Sequence, residues 1–195
     1  TLKAVVGIMD FEEGDILIDG KSIKKDPMFC KSVTAYIPDN PDLYEHLSGI
    51  EYLNFIADVF GVPAKEKESR IAKYADLFEI TGSLGSLIGS YSHGMKQKAA
   101  LIGALIHEPK LLVLDEPFVG LDPKAALDLK NIMRNLCEKG SAIFFSTHVL
   151  EVAEKLCNKV AIIKNGELVA NGEIKEVLGN ESLEDVFMEV TEYES

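Results

Sequence analysis

Two adjacent carboxylates, Asp115 and Glu116, directly follow the apolar run of residues 111–114. Ligands of open α/β sheets bind outside the carboxyl ends of the parallel strands, so both side chains are expected at such a site. Neighbouring carboxylates are tolerated where a cation lies between them and a phosphate. This gives Asp115 a magnesium role and leaves Glu116 to orient or deprotonate an attacking water. The alternative is that these acids and Pro117 only end a strand and begin a loop, and the stretch alone favours neither interpretation.

A second polar cluster ends another apolar run. Ser146, Thr147 and His148 close the stretch that begins at residue 141, so His148 is expected at the same edge of the sheet as the two acids. A lone histidine after a strand is usually a satisfied surface or core residue. Two polar clusters at the ends of consecutive strands are less often accidental, and together they favour a functional edge.

A third candidate is a helix start. Ser92 and Gly94 open a stretch that predicts a helix as far as Ile106. The backbone N–H groups and the serine hydroxyl at such a start favour a phosphate. The alternative for Ser92 alone is an ordinary helix cap.

The elements that must position these residues alternate between strand and helix. Residues 110–115 and 141–146 are apolar runs typical of strands covered on both faces in a parallel sheet. Between them, Asp122 caps a helix with Pro123 at its first position, and this helix ends at Gly140. The rest of the C-terminal part predicts a helix at 149–157, a hairpin around Asn165-Gly166, and a final helix with an acidic tail at 182–195.

The N-terminal part shows a different pattern. Apolar residues at helical spacing in residues 2–9 predict a helix that ends at the turn before Gly14. Short strands are predicted at residues 14–20 and 32–38.

Residues 48–107 are mostly helical by their apolar spacing. Two amphipathic helices are predicted within residues 49–80, joined by the charged stretch 64–69. The change in composition predicts a helical subdomain, residues 48–107, inserted into an α/β core formed by residues 1–47 and 108–195.

Composition limits the possible partners. The net charge of −12 argues against a general nucleic-acid or anionic-membrane surface, since either needs clustered Lys and Arg. Cys30, Cys137 and Cys157 show no CxxC spacing, so neither a zinc site nor a disulfide framework is predicted. The sequence has no run of about 18 apolar residues and no signal-peptide pattern. Any membrane role is therefore expected to depend on a partner.

Taken in order, these motifs resemble the nucleotide-binding domain of ATP-binding cassette (ABC) transporters, in particular the exporter-type ATPase subunits that pair with separate membrane subunits. Residues 91–95 are similar to the LSGGQ signature, residues 111–115 to the Walker B strand, and residues 120–122 to the D-loop. Order and spacing agree over essentially the whole chain. The resemblance implies a P-loop NTPase-like α/β core with a mostly parallel sheet and an inserted α-helical subdomain.

The resemblance also implies ATP and Mg²⁺ as cofactors and assigns roles around them. Glu116 matches the catalytic glutamate and His148 the switch histidine. Asp115 matches the Walker B magnesium ligand, Asp122 lies in the D-loop, and Asp39 occupies the Q-loop position, where it is a second candidate ligand for the metal.

In the family the signature faces the nucleotide that the opposite subunit binds. Ser92 and Gly94 are thus expected to act in trans, in a head-to-tail homodimer or heterodimer. The other implied partners are transmembrane permease subunits, which would hold the chain at the inner face of the cell membrane.

Three positions depart from the family pattern. His93 stands where the signature has Gly, and Met95 where it often has Gln. Asp39 replaces the usual Gln of the Q-loop, and a carboxylate accepts hydrogen bonds but cannot donate them as Gln can.

The 195 residues contain no match to GxxxxGK[ST], the glycine-rich loop that cradles phosphates. Residues 1–4 resemble the helix that follows this loop in the family. We therefore expect the 195 residues alone to lack ATPase activity. The resemblance also places the strand that precedes the loop beside the Walker B strand.

Three functions remain in view. The first is the ATP-hydrolysing subunit of an ABC exporter. The second is a non-transport ABC ATPase, and the third is a non-enzymatic half that only donates its signature to a partner.

Overall fold

The computed structural model describes residues 1–192, with side chains up to residue 190. The chain forms two compact units, with the boundary between Ser146 and Thr147. The end of the predicted acidic tail, residues 193–195, lies outside the described residues.

The first unit combines helices with short strands. Its helices are α1 (Leu2–Val5), α2 (Pro27–Ser32), α3 (Gly49–Val59), α4 (Ala64–Leu77), α5 (His93–Ile106) and α6 (Pro123–Glu138), with 3₁₀ turns at Thr81–Ser83 and Ile88–Ser90. Its strands are β1 (Leu17–Ile18), β2 (Lys21–Ser22), β3 (Thr34–Ile37), β4 (Leu111–Asp115) and β5 (Ala142–Ser146).

Strand β4 is the centre of a three-stranded parallel sheet, between β3 and β5. Its inner residues Leu112, Val113 and Leu114 are all 0% exposed, as expected of a strand covered on both faces. The predicted α/β fold with a parallel sheet is confirmed. Because β4 has a hydrogen-bonded neighbour on each side, the expectation that a further strand lies directly beside it is wrong.

Strand β5 is more open than its sequence suggests. Its apolar run predicts a strand covered on both faces, yet Ala142 is exposed and Phe144 is 39% exposed. Among the described residues, β5 pairs with β4 alone, so it has one ladder neighbour where β4 has two.

Helix α5 lies at the centre of the main core. Fully buried Leu101 and Leu105 share that core with Leu53 of α3 and with Phe78 at the end of α4. Each such side chain contributes roughly 1.5–3 kcal/mol relative to an exposed one. The helices between residues 48 and 107 are therefore held by mutual packing, whereas the subdomain bounds drawn there remain a prediction.

Several local predictions for the first unit were wrong. α1 ends at Val5, because Gly7 adopts a left-handed φ of +70° and turns the chain. Residues 64–69 are the first turns of α4, not a linker. Helix α2 was missed, although Asp26 caps it and proline occupies its first turn.

The second unit begins at Thr147. It contains α7 (Leu150–Leu156), β6 (Lys159–Lys164), β7 (Glu167–Glu173), α8 (Ile174–Leu178) and α9 (Leu183–Glu192). The predicted hairpin is confirmed: β6 and β7 pair antiparallel, and Asn165 and Gly166 have the positive φ values of a type I′ turn, 51° and 85°. Helix α8 was not predicted.

In the part of the chain that the structure describes, none of the helices combines the length and apolar character needed to cross a membrane. The three cysteines are free thiols.

Candidate functional site

The acidic end of β4 is held by the neighbouring strand β5. Asp115 lies opposite Ser146 in the parallel register, and the Ser146 hydroxyl donates a hydrogen bond to Asp115 Oδ1. The backbone N–H of Glu116 lies 3.3 Å from both the carbonyl oxygen and the Oγ of Ser146. A single serine therefore anchors both acids at the carboxyl edge of the sheet.

Glu116 has an unusual backbone conformation. Its φ is +46°, a region that side chains other than glycine enter at a cost of about 1–3 kcal/mol. Such strain persists only where surrounding contacts determine it, and here Ser146 holds the N–H while Val119 N–H donates to the Glu116 carbonyl at 3.1 Å. Strained residues of this kind cluster at functional sites.

Sequence reasoning missed Tyr36, which lies one register position from the end of β3, opposite Val113. Its hydroxyl is buried and has no hydrogen-bond partner among the described residues. Burial, and then the charges of Asp115 and Asp39, raise the pKa of Tyr36. Both predicted magnesium ligands, Asp115 and Asp39, are thus close enough to the Tyr36 hydroxyl to affect its pKa. In the sequence, the signal for Tyr36 was a tyrosine near the end of an apolar strand.

The signature turn, residues 91–95, forms the start of α5 as predicted. Ser92 is the N-cap, and its Oγ accepts the Met95 N–H at 3.2 Å. Ser92 is exposed, and the first turn of α5 carries no acidic residue. The positive end of this helix dipole is therefore not offset by a carboxylate of its own first turn.

The β4–α6 loop, residues 116–122, ends in a second cap. Asp122 accepts the Ala125 N–H at 2.9 Å and forms an ion pair with Lys98 of α5 at 2.6 Å. The Lys98 ammonium and then the Ala125 N–H lower the pKa of Asp122 to about 2. Asp122, which lies in the predicted D-loop, is thus ionised at neutral pH and paired with Lys98 of α5.

The remaining predicted residues lie at loops. Asp39 is exposed after β3, and its Oδ1 accepts the Asn40 N–H at 2.9 Å. His148 is exposed two residues after β5 and belongs to the second unit. The turn that carries it is closed by the Val149 N–H, which donates to Thr147 Oγ1 at 3.1 Å.

These groups fit part of a magnesium–nucleotide site. Asp115 and Asp39 offer the hard oxygen donors that Mg²⁺ prefers. Mg²⁺ usually takes one or two carboxylates together with phosphate oxygens and waters. No cluster of three or more His, Cys, Asp or Glu side chains within residues 1–192 is placed to hold a metal by itself. The fit therefore requires a phosphate to complete the metal's ligands.

An α/β sheet with acids at the carboxyl edge of its strands and an exposed helix N-terminus are typical of proteins that bind nucleotides, and comparison with known proteins is more specific. The model of the ABC transporter family matches residues 1–119. The ABC-type transporter ATP-binding protein EcsA of Bacillus subtilis (strain 168) is 35% identical over 196 residues, covering 98% of this chain and 79% of EcsA. The chain belongs to the ABC transporter family of ATP-binding proteins.

Solved structures agree with this assignment. An ATP-binding subunit of an ABC transporter superimposes with a TM-score of 0.93 at 34% identity, covering 97% of this chain and 81% of that one. CbiO1 from Clostridium perfringens, described as part of the ABC transporter complex cbiONQ, gives a TM-score of 0.73 at 27% identity, covering 91% and 73%. Several further curated relatives are longer, and the chain spans only 54% to 58% of five of them.

Proposed function

We propose that this chain is the ATP-binding and ATP-hydrolysing subunit of an ABC transporter that energises export through separate membrane subunits. The observation that carries the proposal is the pair Asp115 and Glu116 at the carboxyl edge of the sheet, both anchored on Ser146. Membership of the ABC transporter family supports ATP as the ligand.

In this proposal Asp115, Asp39 and Glu116 have different roles. Asp115 would hold Mg²⁺, and Asp39 would be its second carboxylate ligand. Glu116 orients the attacking water and accepts its proton, while His148 donates to the γ-phosphate. Bound Mg-ATP supplies the phosphoryl group and the metal that neutralises its charge.

The signature turn acts on a different nucleotide. Ser92, Gly94 and the exposed start of α5 bind the phosphates held by a second subunit, because the helix dipole and the N–H groups favour an anion there. Asp122 positions the D-loop where the two subunits meet. ATP thereby joins two such subunits head to tail, as a homodimer or a heterodimer.

The permease contacts the surface between Asp39 and Gly49. Tyr44, which is 50% exposed, packs edge-on against Phe55 of α3 with ring centroids 5.6 Å apart, and Phe55 is 44% exposed. Exposed aromatic groups of this kind mark protein interaction surfaces. CbiO1, a member of a transporter complex, supports a permease partner, which would hold the chain at the cytoplasmic face of the membrane.

Titration calorimetry with Mg-ATP tests the proposal. We compare the 195-residue chain with the same chain extended upstream by a GxxxxGK[ST] loop and its strand. The extended form is expected to bind and hydrolyse ATP, and the 195 residues alone are expected to show no measurable ATPase, because the lysine and glycines that hold the phosphates are missing from them.

The matched variant is Glu116→Gln in the extended form, which keeps the shape of the side chain and removes the base. It is expected to bind Mg-ATP normally, to dimerise with it, and to hydrolyse it on the order of 10²- to 10⁴-fold more slowly. Binding by neither form would contradict the proposal and favour a half that only donates its signature to a partner.

A further inference from the structure

The β4–α6 loop packs against the first two turns of α5. A Cβ built on Gly94 would lie 2.8 Å from the carbonyl oxygen of Gly120, closer than real side chains approach. One turn further along α5, Lys98 holds Asp122 at 2.6 Å. Since residues three and four apart share a helix face, this face of α5 contacts the loop at two successive levels.

His93 adds a third contact, at the tip of the loop. A Cβ built on Gly120 would lie 2.6 Å from Cδ2 and 2.9 Å from Nε2 of His93. The imidazole thus occupies the space that a side chain at position 120 would need. Gly120 also has a φ of +78°, so a side chain at position 120 would be strained and would have to displace the imidazole.

This contact depends on the side chain at position 93. Glycine at position 93 would leave the space beside Gly120 empty. The two ends of the loop are held otherwise, at Glu116 by Ser146 and at Asp122 by Lys98 and the helix cap. The exposed tip between these ends is where the ring of His93 lies.

We propose that His93 is a positioning residue. Its ring, packed on Gly120, holds the tip of the β4–α6 loop against α5, so that the carboxylate of Glu116 and the start of α5 move as one body. A ligand that binds at the signature turn then affects the position of the acid pair Asp115 and Glu116 in the same chain. The effect on turnover rests on the function proposed above, whereas the contact itself is independent of nucleotide.

Hydrogen exchange in the ligand-free 195-residue chain tests the contact. In His93→Ala, the amides of residues 119–121 are expected to exchange about tenfold faster, because local opening of the tip no longer breaks a packing contact. Core amides of β4 should exchange at unchanged rates. Lys96→Ala is the matched control, since Lys96 lies on the same helix but pairs with Glu45. Equal rates in wild type and His93→Ala would overturn the proposal.

A steric cycle gives a second measurement. Gly120→Ala is expected to speed exchange at the tip strongly when His93 is present, because the new Cβ meets the ring. In the His93→Ala background the same change should have a several-fold smaller effect, since only the strained φ remains. Additive effects in the two backgrounds would overturn the contact, even if one variant were too unstable for the turnover assay.

Turnover separates positioning from packing. In the extended, ATPase-competent form, His93→Ala is expected to lower kcat about fivefold at unchanged KM, because Glu116 is less well placed while Ser92 and the backbone N–H groups that bind phosphate are retained. An unchanged kcat together with faster exchange would reduce His93 to a packing role and overturn the proposal. Absence of hydrolysis in the parent form would instead contradict the proposed function, while the exchange rates would still decide the contact.

Discussion

Helices α3 and α5 begin with the same residue type in two different settings. Ser48 is 9% exposed and sits in a complete capping box, in which Glu51 accepts the Ser48 N–H at 2.8 Å and its hydroxyl at 2.7 Å. Ser92 is exposed, and Met95 stands where Glu51 stands in α3. The start of α3 carries its own carboxylate, whereas the start of α5 leaves its positive end available to an anion from outside.

The difference between the starts of α3 and α5 indicates that a helix N-terminus can either stabilise the fold or bind an anion. A capping serine by itself does not distinguish the two, but the residue three positions later does. α5 carries a further unfavourable feature, because Gln97 is 0% exposed with neither amide atom paired within the described residues. Features that cost stability tend to occur at functional elements.

Ser92→Asp should break the comparison most strongly. Aspartate caps a helix as well as serine does, so the free energy of unfolding should stay nearly unchanged. Its carboxylate would repel the phosphate proposed to bind there, and ATP hydrolysis by the extended form should fall on the order of 100-fold. A urea titration of each protein measures the free energy of unfolding, and an ATPase assay measures hydrolysis. Unaltered hydrolysis in Ser92→Asp would show that the start of α5 is not an anion site.

Ser48→Ala is the counterpart at α3. Loss of the capping box should lower the free energy of unfolding by about 1–2 kcal/mol, measured in urea. ATP hydrolysis by the extended form should not change. A fall in hydrolysis as large as that expected for Ser92→Asp would remove the distinction between the two helix starts.

Gln97→Leu should raise the free energy of unfolding by about 1 kcal/mol, because it replaces an unpaired buried amide by an apolar group of similar size. Gln97→Glu is the matched control and should be destabilising, since it would bury a carboxylate. Denaturation of both variants in urea measures these changes. Destabilisation by leucine would mean that the amide has a partner in solution.

The smallest effect concerns pH. The hydroxyl and then the N–H of Ser48 lower the pKa of Glu51. A carboxyl whose folded-state pKa is lowered adds stability at pH above its unfolded pKa, about 4.3, and loses it as the pH falls through the folded value. Wild type should therefore lose slightly more stability on acidification than Glu51→Gln. The exposed Glu68→Gln on α4 controls for removal of one charge, and identical curves for Glu51→Gln and wild type would contradict the prediction.

Periodicity and motif order predicted the parallel sheet, the long helices and the Asn165-Gly166 hairpin, because each depends on a local repeat or turn that the residues display directly. The same rule would have found the β1–β2 hairpin, since Asp19 and Gly20 have φ values of 50° and 76° in an equivalent turn. The exposure of Phe144 could not be predicted, because it depends on which strands flank β5 and not on β5 itself.

The candidate site also has some features that the sequence predicted and others that it did not. The positions of Asp115 and Glu116 follow from the end of a strand and were predicted. The anchoring by Ser146, the ion pair of Lys98 with Asp122, and the packing of His93 on Gly120 join segments far apart in the chain. Nothing in the local sequence specifies these contacts, so they required the fold. The roles of Glu116 and its neighbours in hydrolysis remain predictions.

The pairing of β3 with β4 has a consequence for how the chain folds. The two strands lie side by side in register, from Thr34 opposite Leu111 to Ile37 opposite Leu114, and all of residues 38–110 intervene. Closing so long a loop before any ladder hydrogen bond forms is entropically unfavourable, and parallel pairing of this kind is slow. Prior compaction of α3, α4 and α5 would shorten the distance that the two strands must search. We therefore expect changes that destabilise these helices to slow the assembly of the sheet that supports the site.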